Sequence, residues 1–171
     1  MQTEVLVRNA KNGDKDALVR LIMGREQDYY KLAYVYTGNR EDALDAMEDM
    51  IVILYENIER LKKDEAFYSW SRIILVNCCK NLLRKKRRIV FLDTVQEMAF
   101  DDDLCHKDEQ IVLEAHLSKL TAKHQEVLKL RFFLDWDYQT ISDILKIPVG
   151  TVKSRISVGL KKLKESLGGE K

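Results

Sequence analysis

Apolar residues recur at intervals of three and four along almost the whole chain, the spacing that gathers them on one face of an α-helix. A single proline, Pro148, and 7 glycines leave little punctuation. The pattern predicts an all-α protein. A first helix over residues 3–11 ends at Asn12-Gly13, and Asp14 caps a longer one with Leu18, Leu21, Ile22, Tyr29, Leu32, Ala33 and Tyr36 on one broad face. Gly38-Asn39 closes it. The next helix is predicted over 40–60, with Ala43, Met47, Met50, Ile51, Leu54 and Ile58 inward. After a turn at 62–65, a fourth over 66–86 is expected to bury Phe67, Trp70, Ile74, Cys78 and Leu82.

Helical periodicity lapses from 89 to 107, where Phe100-Asp-Asp-Asp-Leu is too acidic to pack easily, and the stretch reads as a linker. Helices resume over 109–119, 121–133 with Thr121 at the N-cap position, 138–145 and 148–167. The fold class is therefore all-α: two small helical domains, 1–88 and 109–171, joined by an acidic linker over 89–108. A length of 171 residues suits two modest domains, and 46% hydrophobic with 33% charged residues describes folded cores under a well-solvated surface.

The net charge of +1 conceals strong striping. Between 38 and 59 a single base, Arg40, faces Glu41, Asp42, Asp45, Glu48, Asp49, Glu56 and Glu59. From 62 to 88 the sign reverses through Lys62, Lys63, Arg72, Lys80, Arg84, Lys85, Lys86, Arg87 and Arg88, against Asp64 and Glu65. Residues 93–114 are acidic again, and 146–164 carry Lys146, Lys153, Arg155, Lys161, Lys162 and Lys164 with no acid. Two basic segments separated by acidic ones suit two contacts with one polyanion, and the acidic segments suit a basic protein partner or the avoidance of DNA.

In Tyr138-Gln-Thr-Ile-Ser-Asp-Ile-Leu-Lys-Ile-Pro-Val-Gly-Thr-Val-Lys-Ser-Arg-Ile-Ser, a short amphipathic helix meets a three-residue turn and a second helix with proline in its first turn. This is the grammar of a helix-turn-helix. Val152, Ile156, Leu160 and Leu163 fall on one side of the second helix and Gly150, Thr151, Ser154, Ser157, Val158 and Lys161 on the other. A small, polar, basic face is what a major groove about 12 Å wide admits, and Gly150 allows close approach.

The segment PVGTVKSRISVGLKKLKE resembles the end of domain four in the extracytoplasmic-function sigma factors of bacterial RNA polymerase, and the helix 117–131 before it is similar to the one that precedes the helix-turn-helix in that family. Asp42-Ala-Leu-Asp-Ala-Met-Glu-Asp49, with Ile51 and Tyr55-Glu-Asn-Ile58, resembles its polymerase-binding helix. Phe67-Tyr-Ser-Trp70, Asn77 and Lys80-Asn-Leu-Leu-Arg-Lys-Lys-Arg-Arg88 resemble its promoter-melting, minus-ten segment. The resemblance implies a non-enzymatic, cytoplasmic initiation factor without cofactor, whose partners are core RNA polymerase, promoter DNA as duplex and as melted non-template strand, and an anti-sigma factor. It implies that Asp42, Asp45, Glu48, Asp49 and Ile53 dock on the polymerase clamp, although the family commonly has Gln-Glu where this chain has Glu48-Asp49. It further implies DNA contacts by Arg72, Asn77, Lys80, Arg84, Lys85, Arg87 and Arg88 in the first domain, Asn77 lining the pocket of an extruded base. In the second domain it implies contacts by Gly150, Thr151, Lys153, Ser154, Arg155, Ser157, Val158 and Lys161.

Other classes fit less well. A helix-turn-helix regulator that works without polymerase would account for the C-terminal motif but not for the acidic helix followed by the Asn77 segment. No phosphate-cradling Gly-rich loop, H-E-x-x-H or nucleophile elbow suggests an enzyme. Cys78, Cys79 and Cys105 read as reduced thiols, and Cys105-His106 with His116 and His124 lacks zinc-ligand spacing, so no metal is expected. No apolar run approaches the roughly 20 residues of a membrane span, and the charged start is unlike a signal peptide, so no direct membrane insertion is expected.

Overall fold

The computed structural model describes residues 2–92 and 108–168, with the side chains of 88–92 and 108–111 left aside. The chain divides into two compact units, Met1–Gln96 and Glu97–Lys171. Every regular element among the described residues is helical.

In the first unit, α1 (Gln2–Lys11) is followed by α2 (Lys15–Met23), whose first turn is capped by Asp14 accepting from the Ala17 N–H at 3.2 Å. The long second helix predicted from the sequence is in fact two, because α3 (Glu26–Thr37) starts afresh after Gly24-Arg25. The Gly24 and Arg25 N–H groups donate back to the carbonyls of Arg20 and Ile22, closing α2 before the chain turns. Gly38 then ends α3 in the left-handed conformation, φ 77°, which glycine adopts without a Cβ clash. Asn39 caps α4 (Arg40–Asn57), which tightens into 3₁₀ geometry over Ile58–Arg60, and a second 3₁₀ turn, Asp64–Ala66, leads into α5 (Phe67–Leu92).

The core of this unit gathers Val7, Leu21, Tyr29, Leu32, Met50, Leu54, Phe67 and Leu75, all essentially inaccessible. At its centre the Tyr29 hydroxyl meets Ser71 Oγ at 2.8 Å, while Ser71 also donates to the Tyr68 carbonyl. Burial pushes the Tyr29 phenol up to about 12. The buried face of α5 thus runs Phe67, Ser71, Leu75, Val76, Cys78 and Cys79. Trp70, Ile74 and Leu82, expected inside, are half-buried, because the face is turned by one residue to let Ser71 reach Tyr29. Cys78 and Cys79 are buried free thiols, pushed up to about 11 and about 12 chiefly by desolvation.

The expected linker over 89–108 overlaps helix at both ends: α5 continues to Leu92, and α6 (Asp108–Ser118) begins at its last residue. The remainder of that linker, with Cys105 and His106, lies outside the described residues.

In the second unit, α6 is followed by α7 (Ala122–Phe132), α8 (Tyr138–Leu145) and α9 (Val149–Gly168), packed around Leu117, Val127, Leu128, Leu130, Ile141, Ile144, Val152 and Ile156. Thr121 stands at the predicted N-cap, but its hydroxyl turns to His124 Nδ1 at 3.0 Å and leaves the helix amides to its own backbone carbonyl. Buried His116 bonds Ser166 Oγ at 2.6 Å, tying α6 to α9.

Candidate nucleic-acid and protein interfaces

The helix-turn-helix is built by local hydrogen bonds. Asp137 caps α8 by accepting from the Thr140 N–H at 2.7 Å, and that backbone donor with the Thr140 hydroxyl holds its carboxyl below the usual range. The turn spans 146–148. Lys146 takes the left-handed conformation at φ 56°, the Ile147 N–H donates to the Ser142 carbonyl at 3.2 Å, and Ser142 Oγ donates to the Ile147 carbonyl at 2.6 Å. Pro148 then opens α9 by accepting from Thr151 and Val152.

Along α9, Val152, Ile156 and Gly159 face inward. A Cβ at Gly159 would stand 3.1 Å from Leu128 Cδ1, so glycine lets α7 and α9 approach. Leu160, expected inside, is 38% exposed. Gly150, Lys153, Ser154, Ser157, Val158 and Lys161 are exposed together, while Thr151 and Arg155 are half-buried along one flank. A Cβ at Gly150 would meet nothing within 4 Å, so any close approach there is from outside.

On both flanks of that face a predicted cation is joined by one outside the predicted contacts, Arg131 beside Lys153 and Lys162 beside Arg155. On one side the Tyr138 ring lies between the Arg131 guanidinium, 4.9 Å from its centroid, and the Lys153 ammonium at 5.7 Å, and Arg131 also donates to the Trp136 carbonyl at 3.0 Å. On the other, His124 sits near Arg155 and Lys162; partial desolvation first, then these two cations, hold its imidazole below the usual value. Only the local density of bases in the sequence hinted at either cluster.

In the first unit, Asn77, Lys80, Arg84, Lys85 and Arg87 all lie on the exposed surface of α5, and half-buried Trp70, Ile73 and Ile74 precede Asn77. Trp70 leans on Phe67, ring centroids 6.2 Å apart. The arrangement is an apolar shelf ending at an amide, with positive charge beyond it, suited to an unstacked base and its phosphates. Arg72 is half-buried and close enough to Tyr29 to act on its phenol electrostatically, so it stands at the edge of this group. The Arg88 side chain lies outside the described residues.

On α4, Asp45, Glu48 and Asp49 are exposed as expected, and Ile53 is 36% exposed. Asp42 departs from the expectation. It is 5% exposed, and its carboxylate accepts from Asn39 Nδ2 at 2.8 Å and pairs with the Lys86 ammonium of α5, so it faces the domain interior instead of a partner. The exposed face holds instead Leu44, Val52 and Tyr55, together with Ile51, expected inward but 38% exposed, and the Lys15 ammonium of α2 lies 5.4 Å from the Tyr55 ring centroid. Val19 and Met23 of α2 are also exposed. An apolar stripe beside an acidic one is the composition of a protein-docking surface. A second apolar surface lies in the C-terminal unit, a groove of about 170 Å³ between Leu113, Leu128, Phe132, Phe133 and Leu163, in which burial pulls the Lys129 ammonium down.

Among the described residues no cluster of His, Cys, Asp or Glu is arranged to hold a metal ion, and no helix is long and apolar enough to cross a membrane.

The sigma-70 region 2 family model matches residues 21–89, and the sigma-70 region 4 model matches 116–165. The chain is 31% identical over 162 residues to the RNA polymerase sigma factor SigV of Bacillus subtilis (strain 168), covering 94% of this chain and 96% of that protein. The ECF RNA polymerase sigma factor SigW of the same strain is 28% identical over 182 residues, covering 98% and 97%. Among solved structures, CnrH in complex with the cytosolic domain of CnrY superposes with a TM-score of 0.73 at 19% identity over 100% of both chains. The sigma factor RpoE in complex with the anti-sigma factor NepR from Bartonella quintana gives 0.65 at 20% identity, covering 88% of this chain and 96% of that one. At such identities the structures show a shared fold.

Proposed function

The chain belongs to the sigma-70 family, in its extracytoplasmic-function subfamily, and from that premise we propose how its surfaces divide the work of promoter-specific transcription initiation. It binds core RNA polymerase and promoter DNA as a regulatory subunit. In the assignment we favour, residues 1–88 bind the core and melt the minus-ten element, 89–108 form the linker, and 109–171 read the minus-thirty-five element. The work is done in the cytoplasm and needs neither cofactor nor catalytic step.

The observation that carries this reading is the presence on one short chain of two separate DNA-suited faces, on α5 and α9, with an acidic and apolar face on α4 beside the first. On α9, Ser154, Ser157 and Val158 project where base edges lie, with Gly150 and Thr151 at the tip of the helix. Lys153, Arg155 and Lys161, joined by Lys162, suit phosphates. On α5, Asn77 holds the extruded base of the non-template strand while Lys80, Arg84, Lys85, Arg87 and Arg88 neutralise phosphates, with Arg72 at their margin. On α4, Asp45, Glu48, Asp49 and Ile53 dock on the polymerase clamp, extended by Leu44, Ile51, Val52 and Tyr55. An anti-sigma factor that covers these apolar surfaces would keep polymerase away.

The test is reconstitution: purified chain with core polymerase on genomic fragments, followed by mapping of transcript starts. Starts that share a minus-thirty-five and a minus-ten element absent without the protein would support the reading. Sequence-specific DNA binding by the chain with no stimulation of polymerase would overturn it in favour of a stand-alone helix-turn-helix regulator.

A further inference from the structure

Asp42 and Lys86 face each other across the packed pair α4 and α5, one in the first turn of the docking helix and the other in the basic tract of the promoter-binding helix. The phase of α5 explains why this lysine is drawn inward. Leu75 and Cys79 are fully buried, half-buried Leu82 follows, and Lys86 continues the same line at helical spacing, whereas Asn77, Lys80, Arg84 and Arg87 share the outward line. The Lys86 side chain is half exposed, its stem continuing the apolar stripe as its ammonium reaches a carboxylate that is 7% exposed.

Asp42 is held from several sides. Its N–H donates to Asn39 Oδ1 at 2.9 Å, Asn39 Nδ2 donates back to Oδ2 at 2.8 Å, and Lys86 Nζ donates to that same oxygen. A carboxylate so buried needs a cation, because an unpaired buried charge is far more costly than an exposed one. Among the described residues of the tract 84–87, Lys86 is the one paired with a carboxylate.

We propose that Asp42 and Lys86 form a positioning clasp that fixes the basic end of α5 against the polymerase-docking helix, and that Lys86, unlike its neighbours in the tract, is not a DNA ligand. The clasp gives a physical link between the two surfaces: polymerase holds α4, DNA lies along α5, and the ion pair sets the angle at which the second is presented relative to the first. Lys86 is spent on Asp42, so the tract offers phosphates through Arg84, Lys85 and Arg87. The proposal rests on the promoter-melting role assigned to α5.

The experiment uses the full chain in four forms besides wild type: Asp42→Asn, Lys86→Gln, the double variant, and Lys86→Arg. Asp42→Asn keeps the side chain's size and one acceptor oxygen while removing the charge and exchanging the second oxygen for an NH2 donor. At saturating core polymerase, both single charge-removing variants should lower open-complex formation on duplex promoter by about five- to tenfold, with the double variant no worse than the worse single, the non-additivity expected of directly coupled residues. Lys86→Arg should retain most activity. Lys86→Gln should leave the salt dependence of DNA binding unchanged, whereas Arg84→Gln, which does remove a phosphate contact, should reduce the slope by about 0.7–0.9. Multiplicative losses in the double variant, normal open complexes in both singles, or a slope change for Lys86→Gln equal to that for Arg84→Gln would each overturn the clasp. If wild type itself fails to support initiation, the functional reading fails instead. Thermal melting of the same proteins then still decides the pairing, since additive shifts in Tm would refute it.

Discussion

Replacing Asn77 by alanine isolates the base-capture role from every other property of α5. The side chain is exposed and sits in mid-helix, so its removal leaves no cavity and exchanges a mediocre helix former for the best one, which should leave the fold as stable or about 0.5 kcal/mol more stable. No charge is lost, so the phosphate contacts proposed for Lys80 and Arg84 and the salt dependence should not move. What disappears is the amide's hydrogen bonding to an extruded base, worth about 1–2 kcal/mol, which corresponds to roughly 5- to 30-fold in open-complex formation. The assay compares two templates at saturating polymerase, a fully paired promoter and one already mismatched across the minus-ten element. Melting is scored by permanganate reactivity and core affinity is measured separately. The paired template should show the whole deficit and the mismatched one a smaller deficit, because the unpairing cost has been met in advance. Normal initiation on the paired template would refute the assignment, and so would an equal deficit on both templates accompanied by weaker polymerase binding.

Three further outcomes follow from the geometry. Substituting Ser157 or Val158 should change discrimination between minus-thirty-five sequences by about 1–3 kcal/mol, while Lys161→Ala should weaken binding to all sequences alike and flatten its salt dependence, both readable by fluorescence anisotropy across a sequence panel. Lys146→Gly should stabilise the C-terminal unit by about 0.5–1 kcal/mol in denaturant titrations, since relief of the left-handed strain at φ 56° outweighs the extra entropy glycine gives the unfolded chain. Cys78 and Cys79 should resist alkylation at pH 8 until the protein unfolds. With folded thiol values raised from about 9 to about 11 and about 12, the stability they contribute is complete below pH 9 and should be lost as pH rises from there toward 12, as followed by circular dichroism.

The elements were most legible where short-range chemistry decides them. The boundaries of α8, the three-residue turn and the start of α9 could be read from Pro148 and the apolar period because capping, proline geometry and helix phase are local properties. The break between α2 and α3 is hard to see in the sequence, since Leu21, Ile22, Tyr29 and Leu32 stay close to a helical spacing across it and the single Gly24 is the one signal against continuity. Two buried faces differ from the apolar pattern for a shared reason: counting apolar residues favours Trp70 and Leu160 over Ser71 and Gly159. A serine is welcome in the core once Tyr29 supplies its partner, and a glycine once Leu128 needs the room.

Asp42 carries that lesson to the candidate site. Within its own segment it is one acid among several at helical spacing, and nothing local separates it from Asp45 or Asp49, so charge alone places all of them on the surface. Its burial is decided 44 residues away, where the phase of α5 delivers Lys86 to the same point, and three residues back, where Asn39 supplies the second donor. A buried ion is a property of a pair, and each half alone reads as an ordinary surface charge. The exposed acids are different, because nothing in the fold turns them inward: Asp45, Glu48 and Asp49 stay on the face beside Leu44, Val52 and Tyr55, where charge and apolar area remain available to a second protein. Burial therefore sorts one acidic segment in two, an internal ion pair at Asp42 and an exposed acidic stripe, the one proposed for docking, that begins one helical turn later.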